Sequence, residues 1–368
     1  MNILQNPFFM RIVHVSAECY PIAKVGGLAD VVGSLQKFQN TDDNLAQVIM
    51  PYYDNDFTSQ HAFKTVHKGI VQLAQHSYDY KIVTPEKDMG CAIFLVDIPE
   101  LLYKKYVYSE NDTERFIAFQ VALLDWISSW DILPDVVHCH DHHTGLTPFM
   151  MTQCFKYEAL KSIPTVLTIH NAQYQGWFSH ELLHLLPTFH FSNVGLFDWD
   201  GAVNPLAAAI KCAWRVTTVS PSYMEELKQN ANGLELLLEH EAAKCVGILN
   251  GIDTDVWNPE TDPFIIKNYK VSSVQSGRKA NKKWLTNKFG LDPAKPMFAF
   301  IGRLVGEKGS DIFYKTFKKA LQKGDKTILL LGSGHKEVEL EMEELKGEFP
   351  GLYNAYIGYD EKLSHIIY

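Results

Sequence analysis

Short apolar runs of strand length alternate with helix-period patterns along almost the whole of this chain, and that alternation leaves few folds open. A strand that is followed by a helix returns over the sheet to lie parallel to its predecessor. The pattern therefore predicts an α/β fold on parallel sheets. Strand-like runs fall at 12–16, 46–50, 91–96, 136–140, 165–170 and 216–220. The helical period is clearest over 111–130, where Phe116, Phe119, Leu123, Leu124 and Ile127 recur on one face. Segment 57–90 reads as irregular strands and hairpins. At 368 residues the chain exceeds one ordinary domain.

A second α/β series starts near Cys245. Its strands are expected at 246–249, 298–301, 328–331 and 355–357, and its helices near 279–289, 310–321, 336–345 and 361–367. The hinge is placed near 241–246, giving an N-terminal domain 1–245 and a C-terminal domain 246–368. The polar stretch 255–276 is only weakly periodic. Four strands fall short of the five or six of a doubly wound sheet. The chain also stops at Tyr368 inside a helical pattern, so the second domain reads as incomplete.

Charge and cysteine use exclude some classes of function. The net charge of −9 argues against nucleic acid or an acidic membrane as partner. Six cysteines are scattered without a C-x-x-C pair, as expected of free thiols in the cytoplasm. Residues 1–9 lack the basic and apolar parts of a signal peptide, Met10 is a candidate start, and no stretch is apolar enough to span a membrane.

The first strand runs into Lys24-Val25-Gly26-Gly27-Leu28-Ala29-Asp30 and then into a helical pattern through Val31, Val32, Leu35 and Phe38. A glycine pair at a helix start lets a ligand approach backbone N–H groups, and Lys24 adds a full positive charge. This corner suits an anionic or oxygen-rich ligand, unless it merely packs a helix on a sheet. It is not G-x-G-x-x-G, so it does not point to a nicotinamide or flavin. The densest polar cluster, His138-Cys139-His140-Asp141-His142-His143-Thr144-Gly145, lies beyond a strand's carboxyl end, where open α/β sheets bind ligands. A metal site is one reading of it, but the H-x-H-x-D-H pattern needs Asp at 142 and finds it at 141. The other reading is a polar strand end that hydrogen-bonds a sugar or positions a loop.

Three further corners repeat the theme. His170-Asn171 follows a strand and precedes Tyr174, Trp177 and Phe178, rings that stack on a pyranose or fill the core. Asn250-Gly251 ends a strand near the hinge, as a plain turn or facing the interdomain cleft. Gly302-Arg303 through Lys308-Gly309-Ser310 opens a helix with two cations, which suits a pyrophosphate. The Asp-x-Asp triplets at 54–56, 198–200 and 253–255 are read as turns, not as metal-diphosphate motifs. Departure of a nucleoside diphosphate needs stabilisation of growing negative charge. Arg303 and Lys308 supply it without a metal.

Taken together, these segments resemble bacterial glycogen synthase and plant starch synthase, retaining glycosyltransferases of the GT-B fold. Those are two Rossmann-like doubly wound domains about a cleft. The matching residues run in the family's order: Lys24–Val31, His138–Gly145, Thr168–Asn171 with Tyr174–Gly176, Val219–Tyr223, Leu249–Asp253 with Trp257–Pro259, Gly302–Leu304 with Lys308-Gly309, and Ile357–Tyr359. The resemblance implies transfer of glucose from ADP-glucose to the non-reducing 4-hydroxyl of an α-1,4-glucan, with retention and without a metal cofactor. It places Lys24, Gly26 and Gly27 at the donor's phosphates and glucose, Arg303 and Lys308 at the diphosphate, and His170 at the glucose 6-hydroxyl. Asp141 and Asn250 would line the sugar and acceptor region, and Tyr359 the nucleobase. Glu18 and Asp30 are acceptor-side candidates. The family's Glu-x7-Glu segment and its returning final helix lie beyond Tyr368, so weak activity and a poorly stable 246–368 are expected. Rival readings are a non-catalytic glucan- or nucleotide-sugar-binding fragment, and a GT-B enzyme with another acceptor.

Overall fold

The computed structural model describes residues 9–368 and divides into two units, 1–252 and 253–368. Residues 1–8, most of the stretch read as carrying no leader, lie outside the described residues.

The first unit is built on a nine-stranded sheet in the order β11-β10-β7-β6-β1-β2-β5-β4-β3. Its strands begin with β1 (Met10–Val15), β2 (Asn44–Pro51), β3 (Phe63–Leu73), β4 (His76–Pro85), β5 (Ala92–Asp97), β6 (Val136–His140) and β7 (Thr165–Ile169). A separate ribbon, β8 (Asp198–Trp199) and β9 (Ala202–Val203), precedes β10 (Arg215–Thr218) and β11 (Cys245–Gly247). From β11 to β5 every pairing is parallel; β4 and β3 add an antiparallel edge, the hairpin expected within 57–90. β1 lies between β2 and β6, so the chain leaves it in opposite directions on its two sides. This is the topological switch point, where a crevice opens beyond the strand ends.

The helix Thr113–Ser128 is buried on most of its circumference, and even Arg115 and Gln120 are inside. Arg115 is bound there by Asp112 at 2.8 Å. The helix Gly27–Gln39 buries Leu28, Ala29, Val32 and Gln36, which turns Phe38 out to solvent. All six cysteines are free. Among the described residues no helix is long and apolar enough to cross a membrane.

The strand at 245–247 pairs in parallel with β10, Val216 opposite Cys245 and Thr218 opposite Gly247, so it closes the first sheet instead of opening the second. Alternation read along the chain places strands in order but does not say which sheet a border strand joins. The division falls after Ile252, not at 245/246.

The second unit therefore holds three parallel strands, not four: β12 (Met297–Ile301), β13 (Thr327–Gly332) and β14 (Tyr353–Ile357), in that order. β13 is buried along its whole length, as a central parallel strand is. The non-periodic stretch before these strands is pinned by side chains. His365, on the helix Glu361–Ile367, meets Asp262 through Nδ1 at 2.7 Å, and both are buried. Trp257 stacks flat on the His365 ring at 3.9 Å, with Tyr368 edge-on to the indole.

Replacing His365 by Ala removes the partner of Asp262 Oδ2 in the interior and leaves only the Phe264 N–H, at 2.8 Å, on the other oxygen. A loss of about 3 kcal/mol or more is expected for this unit. Hydrogen exchange should quicken across 253–368 in the variant while β1, β6 and β7 keep their protection. Unchanged exchange in 253–368 would show that the pair contributes nothing to stability.

Candidate active site

The loops that leave β1, β6 and β7 at their carboxyl ends assemble one polar site in the first unit. After β1 the chain turns through Ser16, whose hydroxyl donates to the Glu18 carbonyl at 2.7 Å. Buried Glu18 then braces the glycine corner: its Oε2 accepts from the N–H groups of Val25 at 2.6 Å and Gly26 at 3.0 Å. Tyr108 donates to the other carboxylate oxygen. Glu18 thus acts on the loop that carries the corner, and the N–H groups of Val25 and Gly26 are already engaged. Lys24 pairs with Asp30 at 2.9 Å and lies 5.4 Å from the Tyr20 ring. A Cβ added at Gly26 or Gly27 would meet nothing within 4 Å, and neither residue has a left-handed backbone. Packing and conformation therefore do not demand glycine here. The bareness of this surface is free to serve a ligand.

β6 carries the histidines. Side chains alternate across a strand, so Val137 and Cys139 face the core and His138 and His140 share the other face. Register places His14 of β1 opposite His138, and His140 opposite Thr168 of β7. The rings of His14, His138 and His140 stack with centroids 4.3–5.4 Å apart. His14 bonds Gln39 at 2.7 Å and His140 at 3.1 Å, and His140 bonds His170 at 3.0 Å. His138 Nε2 meets the Thr168 hydroxyl at 2.6 Å, which meets Thr217 at 2.6 Å. Burial lowers the pKa of His14 and His170 to about 4 and holds His138 and His140 well below the ordinary range. The rings are neutral at pH 7.

Asp141 follows in a left-handed backbone conformation, φ 56°. Its Oδ1 accepts from the N–H of His170 at 2.7 Å and of Asn171 at 3.3 Å, so it locks the loop after β7 onto the loop after β6. Burial raises this carboxyl to about 7, against the pull of those two N–H groups. The same turn is held from below by buried Gln175. Its Nε2 donates to the carbonyls of Ala172, Ala231 and Asn232 at 3.1 Å, and its Oε1 accepts from Asn204 at 2.7 Å. Gly176 closes the turn at φ +75°, where a side chain is strained and a Cβ would strike His142. Of the three aromatic candidates, Phe178 is in the core, whereas Tyr174 and Trp177 are exposed. Trp177 lines an open cavity of about 370 Å³ with Trp199, Asp200 and Asn232.

The metal reading of the histidine cluster is open to an atom count. Ring nitrogens of His14, His138 and His140 lie within 4.8 Å of one another. Both nitrogens of His14 and of His140 are in hydrogen bonds, as is Nε2 of His138. A cation there would have to break that network, and the donor set does not fit one. Cys139 faces away, its thiol raised by burial to about 12. The Asp-x-Asp triplets are turns: Asn55 caps the helix Asp56–Gln60, Asp200 (φ 54°) turns the chain after β8, and Asp253 accepts from the N–H of Asp255 at 2.9 Å.

Asn250 is an exposed residue of the first unit, its N–H bonded to the Val219 carbonyl at 3.2 Å. In the second unit, Arg303 lies just past the end of β12 and pairs with Glu307; Lys308 is exposed. Lys308 ends the 3-10 turn Gly306–Lys308, and a second 3-10 turn, Ser310–Ile312, stands between it and the helix Phe313–Leu321. The cations thus sit on a tight loop after the strand, not on the first turn of a helix at 310. Left-handed Gly309 keeps the helix from starting earlier. Tyr359, just past β14, has an exposed ring and donates its hydroxyl to Glu361. The residues that sequence reasoning missed are His14, Gln39, Tyr108 and Gln175. A histidine inside the apolar run of β1 was the one readable sign of them.

The relatives agree with one another. A family model described as the starch synthase catalytic domain matches residues 11–240. A glycogen synthase of Flavobacterium johnsoniae is 46% identical over 363 residues, 98% of this chain and 77% of that protein. One from Streptococcus agalactiae serotype Ia is 33% identical over 380 residues, with the same shares covered. The solved catalytic domain of starch synthase IV from Arabidopsis thaliana, bound to ADP and acarbose, superposes with a TM-score of 0.87 at 30% identity, covering 98% of this chain and 76% of that one. With its switch-point site and its doubly wound sheet, the chain belongs to the glycogen synthase and starch synthase family of GT-B glucosyltransferases.

Proposed function

We propose that the chain moves glucose from ADP-glucose to the 4-hydroxyl of a non-reducing α-1,4-glucan end, with retention of configuration, in the cytoplasm. What carries this reading is that each unit, taken by itself, offers one part of the chemistry it needs. The first unit offers a bare glycine corner beside Lys24, with His170 held on a braced turn. The second offers Arg303 and Lys308 on a strand-end loop. The bound ADP of the starch synthase IV structure supports the choice of donor.

In this reading Arg303 and Lys308 bind the diphosphate and take up charge as the bond from C1 to the phosphate oxygen breaks. The bond from C1 to the acceptor O4 forms on the same face, and the acceptor proton passes to the departing phosphate oxygen. No separate base is needed. Lys24 and the surface of Gly26 and Gly27 hold the donor's phosphate and glucose. His170 touches the transferring sugar, and Asp141 positions it. Tyr359 packs on the nucleobase, and Asn250 lines the acceptor region. The committed ring nitrogens and the Asp-x-Asp turns support transfer without a metal. The free cysteines support a reducing compartment.

The test is transfer of labelled glucose from ADP-glucose to glycogen, run on this chain and on a form extended by the segment its longer relatives carry. Label that an α-1,4 hydrolase releases supports the reading. Glucan binding without transfer by either form supports a binding protein instead. Label resistant to the hydrolase points to another acceptor.

Three outcomes are expected of variants. In the form that transfers, Arg303→Ala and Lys308→Ala should each lower kcat by about 100-fold or more, with the KM for glycogen little changed. Gly27→Val should leave the unfolding midpoint in place, because open space surrounds that position, yet raise the KM for ADP-glucose. Asp141 ties stability to pH. Its folded pKa, about 7, stands above the ordinary 3.8, so the folded chain binds the extra proton between those values. This group's contribution to stability therefore falls as pH rises through that window. Asp141→Asn keeps the acceptor and removes the charge. Wild-type stability relative to the variant should decline by a few kcal/mol at most from about pH 4 to about pH 7. Parallel denaturation curves at both ends would contradict the raised carboxyl.

A further inference from the structure

Gln39, His14, His140 and His170 form one unbroken file of hydrogen bonds: 2.7 Å from Gln39 to His14, 3.1 Å from His14 to His140, and 3.0 Å from His140 to His170. It runs from the last turn of the helix Gly27–Gln39, through β1 and β6, to the turn after β7. Each neutral imidazole has one N–H and one lone pair. Burial keeps His14, His140 and His170 neutral. Such a file has a direction, and its far end dictates it. Gln39 presents its carbonyl oxygen, so His14 carries the proton on Nε2 and offers Nδ1 as a lone pair. His140 must then donate from Nε2 and accept at Nδ1. His170 must donate from Nε2 in its turn. A ring in the other tautomer would set N–H against N–H or lone pair against lone pair at a buried link. His170 Nδ1, which has no partner among the described residues, is left as an acceptor.

We propose that Gln39 is a positioning residue that sets, through His14 and His140, the tautomer His170 presents to the sugar, making its open nitrogen an acceptor for a hydroxyl. The proposal rests on the reading that His170 touches the transferring glucose, but the file itself stands without it. His138 is a side branch with its own anchor. Thr217 donates to the Leu167 carbonyl at 3.3 Å, Thr168 donates to Thr217, and His138 Nε2 donates to Thr168. Neither its proton nor its direction depends on Gln39.

The experiment is nitrogen-detected NMR of the ¹⁵N-histidine-labelled chain without ligand, with the His170 signal identified by its loss in His170→Asn. Four forms are compared. Wild type and Gln39→Glu, which offers only acceptors, should show His170 protonated at Nε2. Gln39→Lys, which offers only donors, should reverse the file and move the proton to Nδ1. Gln39→Met, of similar length and without a strong partner, should give a mixture. His138 should stay at Nε2 in all four, which separates a directed file from a general disturbance. A His170 tautomer that is the same in all four forms overturns the proposal, as does a wild-type proton on Nδ1. Zinc that shifts the His14, His138 and His140 signals together overturns it too, because a cation would then own the lone pairs. The kinetic consequence is read separately. Gln39→Lys should raise the KM for ADP-glucose at least tenfold, Gln39→Glu should restore it, and the KM for glycogen should not move. If the tautomers follow Gln39 while the kinetics do not, the file is real and His170 does not touch the donor sugar.

Discussion

The parallel pairing of β1 between β2 and β6 is the constraint on which the rest of the first unit depends. Val13 lies opposite Val137 and Gln47 at once, so the strand is bonded on both edges and its carboxyl end points into the gap where the sheet's winding reverses. Crossover helices leave to either side of that gap and do not cover it. The loops beginning at Ser16, Asp141 and His170 therefore meet there. Glu18 reaches back to the amides of Val25 and Gly26, and Asp141 reaches across to those of His170 and Asn171. Two buried acidic side chains thus shape the loops by accepting N–H groups that would otherwise be unpaired.

A row of histidines in the middle of a sheet is an unusual interior, and it is stable because its polar atoms are satisfied in series. The rings of His14, His138 and His140 pack against one another along one face of the strands, while each bonded nitrogen has a named partner. Satisfied networks of this kind hold one arrangement, because any single wrong tautomer leaves a buried group unpaired. Position and protonation at His170 are then consequences of packing many residues away. That is what a site needs if it must meet a sugar hydroxyl without reorganising.

Much of the architecture was legible because hydrophobic period is a local signal. β1, β6 and β7, the helix Thr113–Ser128 and the helix Glu361–Ile367 lie where the alternation places them. The glycine corner and the cationic loop were legible because special residues stand at strand ends. What was not legible is decided by contacts far apart in sequence. The strand at 245–247 joins the first sheet because Val216 and Thr218 offer an open edge, which nothing near Cys245 announces. The stretch 255–276 has no period because its order comes from Asp262 and Trp257 meeting His365. Glu18 and Asp30 read as groups for an acceptor, yet each is engaged with its own loop, by Val25, Gly26 and Tyr108 for one and Lys24 for the other. Gln39 carried no sign at all, since a glutamine on a helix end is ordinary until its partner is seen.

The central claim is that the chain itself, and not a metal, meets the charge of the leaving diphosphate. The most direct measurement is calorimetric titration of ADP and of AMP into the protein with a chelator in excess. The account predicts that ADP binds under these conditions and that AMP, lacking the second phosphate, binds at least tenfold more weakly. ADP binding that appears only when a divalent cation is supplied, or AMP binding as tight as ADP, would contradict it.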